Sequence, residues 1–243
     1  MVTRRKSGSF TRAWTSLSCI DVTAVLRQAL KHRGFKSVLW WLCLMPFIWL
    51  VWGAANDALG ANPAEYLIRA TGDWTLRLLC VTLAVTPLRV MAGLPELAKL
   101  RRMLGLFTYF YVVIHLLCYS WLDMGFEWAD IANDIAKRPF ILVGFSAFLL
   151  LTPLALTSVN RAIRWLGAKR WQWLHRLVYV VAVLAVLHFF WMRAGKNNFN
   201  EVFVYASVLG ALLAWRFFRA FGFRGWLIVG AEQKSHAVAK EKT

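Results

Sequence analysis

The chain has 243 residues, 59% of them hydrophobic, with 14 Trp, 17 Phe and only 17% charged side chains, which excludes an ordinary soluble domain of this size. Its formal charge of +17 does not point to nucleic acid, because the basic residues cluster between long apolar runs, as membrane topology requires.

Residues 1–36 form a basic arm. Thr3-Arg4-Arg5 echoes a twin-arginine signal and Leu17-Ser18-Cys19 a lipoprotein cleavage box, but neither has the apolar segment such signals need. Residues 13–35 read either as an amphipathic helix on the inner surface, with Leu17, Ile20, Ala24 and Leu30 on one side, or as a disordered arm. A helix needs about 20 apolar residues to cross the hydrocarbon core. Six stretches qualify, at roughly 38–55, 74–92, 104–122, 140–157, 173–191 and 200–218.

The gaps alternate in charge. The arm, the Lys99/Arg101/Arg102 gap, the Arg161–Arg170 gap and the tail from Arg216 are basic; the other three hold Asp57, Glu65, Asp73, Asp123, Glu127, Asp130, Asp134 and Glu201. By the positive-inside rule both termini are cytoplasmic. The expectation is an all-α membrane protein: a six-transmembrane-helix bundle over 37–219, with a basic cytoplasmic tail over 220–243. Trp49, Trp52, Trp74, Trp121, Trp171 and Trp191 fall near span ends and read as an interfacial belt. Cys19, Cys43, Cys80 and Cys118 form no C-x-x-C and read as small buried hydrophobes.

His115, His175 and His188 lie within the third and fifth spans, and ionisable groups at such depth are usually functional. One reading makes them packing glue between helices. The sharper reading is axial ligation of haem iron, which takes neutral imidazoles from facing helices in an apolar slot. At about 1.5 Å rise per residue, His115 lies roughly 21 Å beyond Arg101, His188 roughly 27 Å beyond Arg170, and His175 only about 8 Å beyond it. His115 and His188 therefore pair toward the outer leaflet. The thirteen residues from His175 to His188 do not put both on one face of a straight helix, so either span five is irregular or tilted, or His175 belongs to the turn that leads into it.

Several segments then resemble a known family: PFIWLVWGAANDALGANPAEYLIRATGDWTLRLL, TPLR, RRMLGLFTYFYVVIHLLCY, KRPFILVG, LALTS and LGAKRWQWLHRLVYVVAVLAVLHFFW. They resemble the ferric-reductase-like transmembrane superfamily, and within it the MsrQ (YedZ) family, haem-binding membrane subunits of the bacterial MsrPQ methionine sulfoxide reductase system. The resemblance implies haem b held by His115, His188 and, at a second position, His175. It also implies a flavin mononucleotide (FMN), a cytosolic NAD(P)H flavin reductase as donor, and the periplasmic molybdopterin protein MsrP as acceptor. It places the chain in the bacterial inner membrane, with no catalytic residue of its own.

Arg101 and Arg102 stand where a second ligand on span three would fall, and arginine offers no lone pair. His175 then serves either a second haem or the inner flavin site. Arg77 and Arg176, near span ends, are candidates for haem propionates or flavin phosphate. Arg101, Arg102, Lys169 and Arg170 are candidates for an inner phosphate site. Only 25 residues follow Phe218, with no G-x-G-x-x-G, so electrons are expected from a separate donor. The alternatives are a stand-alone transmembrane ferric or quinone reductase, or a small transporter without cofactor.

Overall fold

The computed structural model describes residues 22–194 and 199–240; the two signal-like motifs and Cys19 lie outside them. Ten α-helices follow in order: α1 (Val22–Lys31), α2 (Arg33–Ala55), α3 (Pro63–Met91), α4 (Leu100–Cys118), α5 (Trp128–Lys137), α6 (Pro139–Leu156), α7 (Asn160–Leu166), α8 (Ala168–Leu174), α9 (Leu177–Ala194) and α10 (Asn200–Lys240). No strand occurs among the described residues. Six segments are long and apolar enough to cross a bilayer: Gly34–Ala55, Pro63–Met91, Pro95–Asp123, Pro139–Leu156, Ala168–Ala194 and Asn200–Ala220. The chain is a multi-pass membrane protein.

The second span begins eleven residues earlier than its apolar stretch suggests. Asn62 caps α3 by accepting from the Glu65 amide at 3.1 Å, and Pro63 occupies the first turn, where its missing N–H costs nothing. Glu65 and Arg69 pair one turn apart, so the polar residues extend the helix instead of ending it. Arg77, expected near a span end, therefore sits in the middle of α3. The gap between the fourth and fifth spans carries α7, α8 opens the fifth span, and the gap between the third and fourth spans carries α5.

Within the stretch 13–35, α1 is helical over Val22–Lys31, while residues 13–21, with Leu17 and Ile20, lie outside the described residues. α1 is tied to the turn after α3 by Arg27 donating to the Gly93 carbonyl and by Lys31 facing Glu96 at 3.6 Å.

Three apolar clusters hold the bundle. Cys43, Leu78, Val85, Leu104 and Phe107 join α2, α3 and α4. Leu79, Leu83, Ala182 and Leu209 join α3, α9 and α10. Ala147, Leu151, Leu154 and Val181 join α6 and α9. α3 lies along α4 and α6 along α9, and the two pairs touch each other more sparsely. The outward face of α2 presents Trp41, Met45, Trp49 and Trp52, as expected of a helix solvated by lipid.

Two tryptophans assigned to the interfacial belt face inward instead. Trp74 packs beside Tyr111, and Trp171 donates to the Thr157 carbonyl at 2.9 Å while stacking on His175. The partner of Trp74 is on α4, and those of Trp171 are the C-cap residue of α6 and the C-cap residue of its own helix.

Pro46 interrupts α2, and Tyr111 repairs the interruption. Its hydroxyl donates to the Cys43 carbonyl at 2.8 Å and accepts from the Phe47 amide at 3.0 Å, the two groups a regular helix would pair with each other. Tyr111 is fully buried. Tyr111→Phe leaves both backbone groups without this partner in an apolar setting, at a cost of about 1–3 kcal/mol. Its melting temperature in detergent is expected to fall by several degrees; an unchanged melting temperature contradicts this account.

A histidine pair clamped by two helix carbonyls

His115 on α4 and His188 on α9 face one another, with ring centres 6.3 Å apart and planes at 79°. Each is held from a neighbouring helix in the same way. His115 Nδ1 lies 2.8 Å from the Ile68 carbonyl of α3, and His188 Nδ1 lies 2.7 Å from the Phe140 carbonyl of α6. A carbonyl only accepts, so both Nδ1 atoms carry the proton and both Nε2 atoms keep a free lone pair.

Glycine makes this approach possible. The residue one turn after Ile68 is Gly72, and the residue one turn after Phe140 is Gly144. A Cβ at Gly144 would stand 2.7 Å from His188 Nδ1, and one at Gly72 would stand 3.2 Å from His115 Cε1. The missing side chain opens the groove through which each imidazole reaches the carbonyl four residues earlier. These clamps escaped the sequence reading. Their signal was a glycine inside an apolar helix, a position that costs stability unless something must come close.

Thr71, buried beside His115, bonds the Leu67 carbonyl at 2.7 Å and approaches His115 Nδ1 only at 3.4 Å, leaving the Ile68 carbonyl as the stronger partner.

His175 stands apart. It caps α8 just before α9 starts at Leu177, so the fifth span is broken there and His175 belongs to its leading turn. With the helix broken there, the phase of a single straight helix does not relate His175 to His188. Its Nδ1 lies 3.0 Å from the Trp171 carbonyl and its ring 3.9 Å from the Trp171 ring, while Nε2 is buried without a hydrogen-bond partner.

The candidate arginines do not converge. Arg77 donates to the Tyr205 hydroxyl at 3.1 Å and lies over Trp74. Arg101 bonds Thr86 of α3, whereas Arg102 bonds Asn160 at the start of α7. Arg170 and Arg176 are exposed on either side of His175. Arg216, which the sequence reading used only for topology, joins three helices: it donates to Tyr179 of α9 at 2.8 Å and to the Leu83 carbonyl of α3 at 2.7 Å.

Among the described residues no group of three or more His, Cys, Asp or Glu is placed to hold a metal ion. Among the described residues the central pair therefore offers two imidazole lone pairs without a third His, Cys, Asp or Glu beside them.

Residues 71–186 match the family described as ferric reductase like transmembrane component. A protein from Polaromonas naphthalenivorans named protein-methionine-sulfoxide reductase heme-binding subunit MsrQ is 69% identical over 77% of this chain and 85% of its own length. Proteins of the same name from Ralstonia nicotianae and Herminiimonas arsenicoxydans are each 51% identical, covering 83% and 76% of this chain and 89% and 85% of their own. No solved structure matches. With its central histidines on two of six spans and this identity along most of its length, the chain belongs to the MsrQ family of ferric-reductase-like membrane proteins.

Proposed function

We propose that the chain is a haem b electron-transfer subunit of the bacterial inner membrane, with both termini cytoplasmic. It would take electrons from a cytosolic NAD(P)H flavin reductase and deliver them to a periplasmic molybdopterin methionine sulfoxide reductase, MsrP. The relatives' names support this reading, and one observation carries it: the spacing and tautomer of the histidine pair.

The two rings stand on facing helices with centres 6.3 Å apart, and with Nδ1 committed to a carbonyl in each, both Nε2 lone pairs are left to hold a shared group. A two-imidazole donor set needs a macrocycle for the remaining positions, which fits haem better than a free ion. The group would supply reversible one-electron storage. The chain's part is to hold and tune it: His115 and His188 would hold it through Nε2, and the Ile68 and Phe140 carbonyls, by accepting from Nδ1, fix ring orientation and would raise ligand basicity.

On the inner side, His175 is the candidate for a second haem or for ordering an FMN. Its unpartnered Nε2 supports a ligand there, with Arg101, Arg102, Arg170 and Arg176 as candidate phosphate or propionate contacts. Arg77, bound to Tyr205 in mid-span, is the weaker candidate for such a contact.

Optical spectra of the detergent-purified protein, with haem quantified per chain, test the reading. A low-spin b-type spectrum is expected in the wild type, lost in His115→Ala and His188→Ala and retained in part in His175→Ala. A colourless wild type that haem does not reconstitute refutes it. Gly144→Ala is expected to weaken haem retention by about tenfold or more, since its methyl displaces His188 from its carbonyl. Gly72→Ala, with its looser contact, should do less. Equal retention in both variants, measured by haem transfer to apomyoglobin, counts against the glycine account.

A further inference from the structure

A continuous chain of contacts joins the end of α4 to the start of α6 through α5. After Cys118 the last turn of α4, Tyr119–Asp123, widens into a π-helix that begins four residues beyond His115. Such turns are rare and concentrate at functional sites. Gly125 and Phe126 then take φ values of 55° and 61°, a conformation costly for phenylalanine. The turn is closed by the Phe126 amide donating to the Ser120 carbonyl at 2.7 Å.

The Tyr119 hydroxyl, carried on this turn, donates to Asp134 Oδ2 on α5 at 2.7 Å. The other oxygen of Asp134 receives Arg138 Nε at 2.8 Å, and the Asp134 side chain is only 11% exposed. Arg138 is the N-cap of α6, and two residues later comes the Phe140 carbonyl that orients His188. An exposed ion pair would contribute little here. This carboxylate is largely shielded, takes two short charge-assisted bonds, and links the helix of one histidine to the carbonyl that holds the other.

We propose that the Tyr119–Asp134–Arg138 clamp is a positioning device for His188, holding the first turn of α6 against the end of α4 and thereby setting the spacing of the two imidazoles. None of its side chains touches the site; they act through the Phe140 carbonyl. The clamp itself is a property of the chain, while its consequence for iron rests on the haem reading above.

The test uses Tyr119→Phe and Asp134→Asn in the full-length protein, with Glu96→Gln at the opposite end as control. In haem-free protein, the rate of diethyl pyrocarbonate modification is followed at each histidine by peptide mass spectrometry. His188 is expected to react several-fold faster in both variants, with His115 and the control unchanged. The double variant should add little to Asp134→Asn alone, because the two residues act in one chain of contacts. In haem-loaded protein, both variants are expected to keep wild-type haem per chain while their low-spin electron paramagnetic resonance g-values and reduction potential shift. Wild-type rates and spectra in both variants overturn the proposal, as does equal loosening of His115 and His188. If the wild type binds no haem, the haem reading fails, and the modification rates still decide the clamp. Should Asp134→Asn not fold, Tyr119→Phe, which removes one hydroxyl, decides it alone.

Discussion

An imidazole removed from water needs a partner for its N–H, and the structure answers this twice with a backbone carbonyl on an adjacent helix. That bond fixes the tautomer, leaves the Nε2 lone pair free and sets the ring's position. It also dictates the packing around it. Helix carbonyls are normally screened by the side chain one turn on, so the close approach of these two imidazole rings requires a residue without a side chain there. Gly72 and Gly144 meet the requirement, and α3 and α6 lie close to α4 and α9 accordingly.

The same economy runs through the rest of the bundle. A membrane interior provides no water to rescue an unpaired backbone group. Tyr111 therefore serves both groups exposed by Pro46, and Arg216 ties a carbonyl of α3 and the hydroxyl of Tyr179 to α10. Each such bond joins different helices, so satisfying the polar groups and assembling the bundle are one process. The lipid-facing surface carries no comparable constraint. There, as along α2, bulky side chains are exposed freely.

The two densely packed pairs, α3 with α4 and α6 with α9, meet at the boundary where His115 and His188 face one another. Each pair contributes one histidine and the carbonyl that orients it. The proposed clamp lies at the outer rim of that boundary and ties the pairs through α5 and the start of α6. Coupling between the two ligands would then pass through hydrogen bonds and short turns, not through apolar contact alone.

Much of this was present in the sequence. Hydropathy gave six spans, because the hydrocarbon thickness sets a length that a linear pattern reveals. Depth counted from basic residues paired His115 with His188, because helical rise is constant. Where polar residues could satisfy each other locally, the linear pattern misled: Glu65 and Arg69 extended α3, and Arg77 moved from a span end to its middle. The break at His175 was left open, since helix phase alone does not say where a helix stops. The carbonyl clamps, their glycines and the Tyr119–Asp134 contact join residues 15 to 48 positions apart in sequence, or turn on a helix widening with no compositional mark. Residue type and period determined which helices form and which histidines share a depth. Only tertiary packing decided what each imidazole touches, because a hydrogen bond to a neighbouring backbone depends on the approach of two helices and not on either sequence alone.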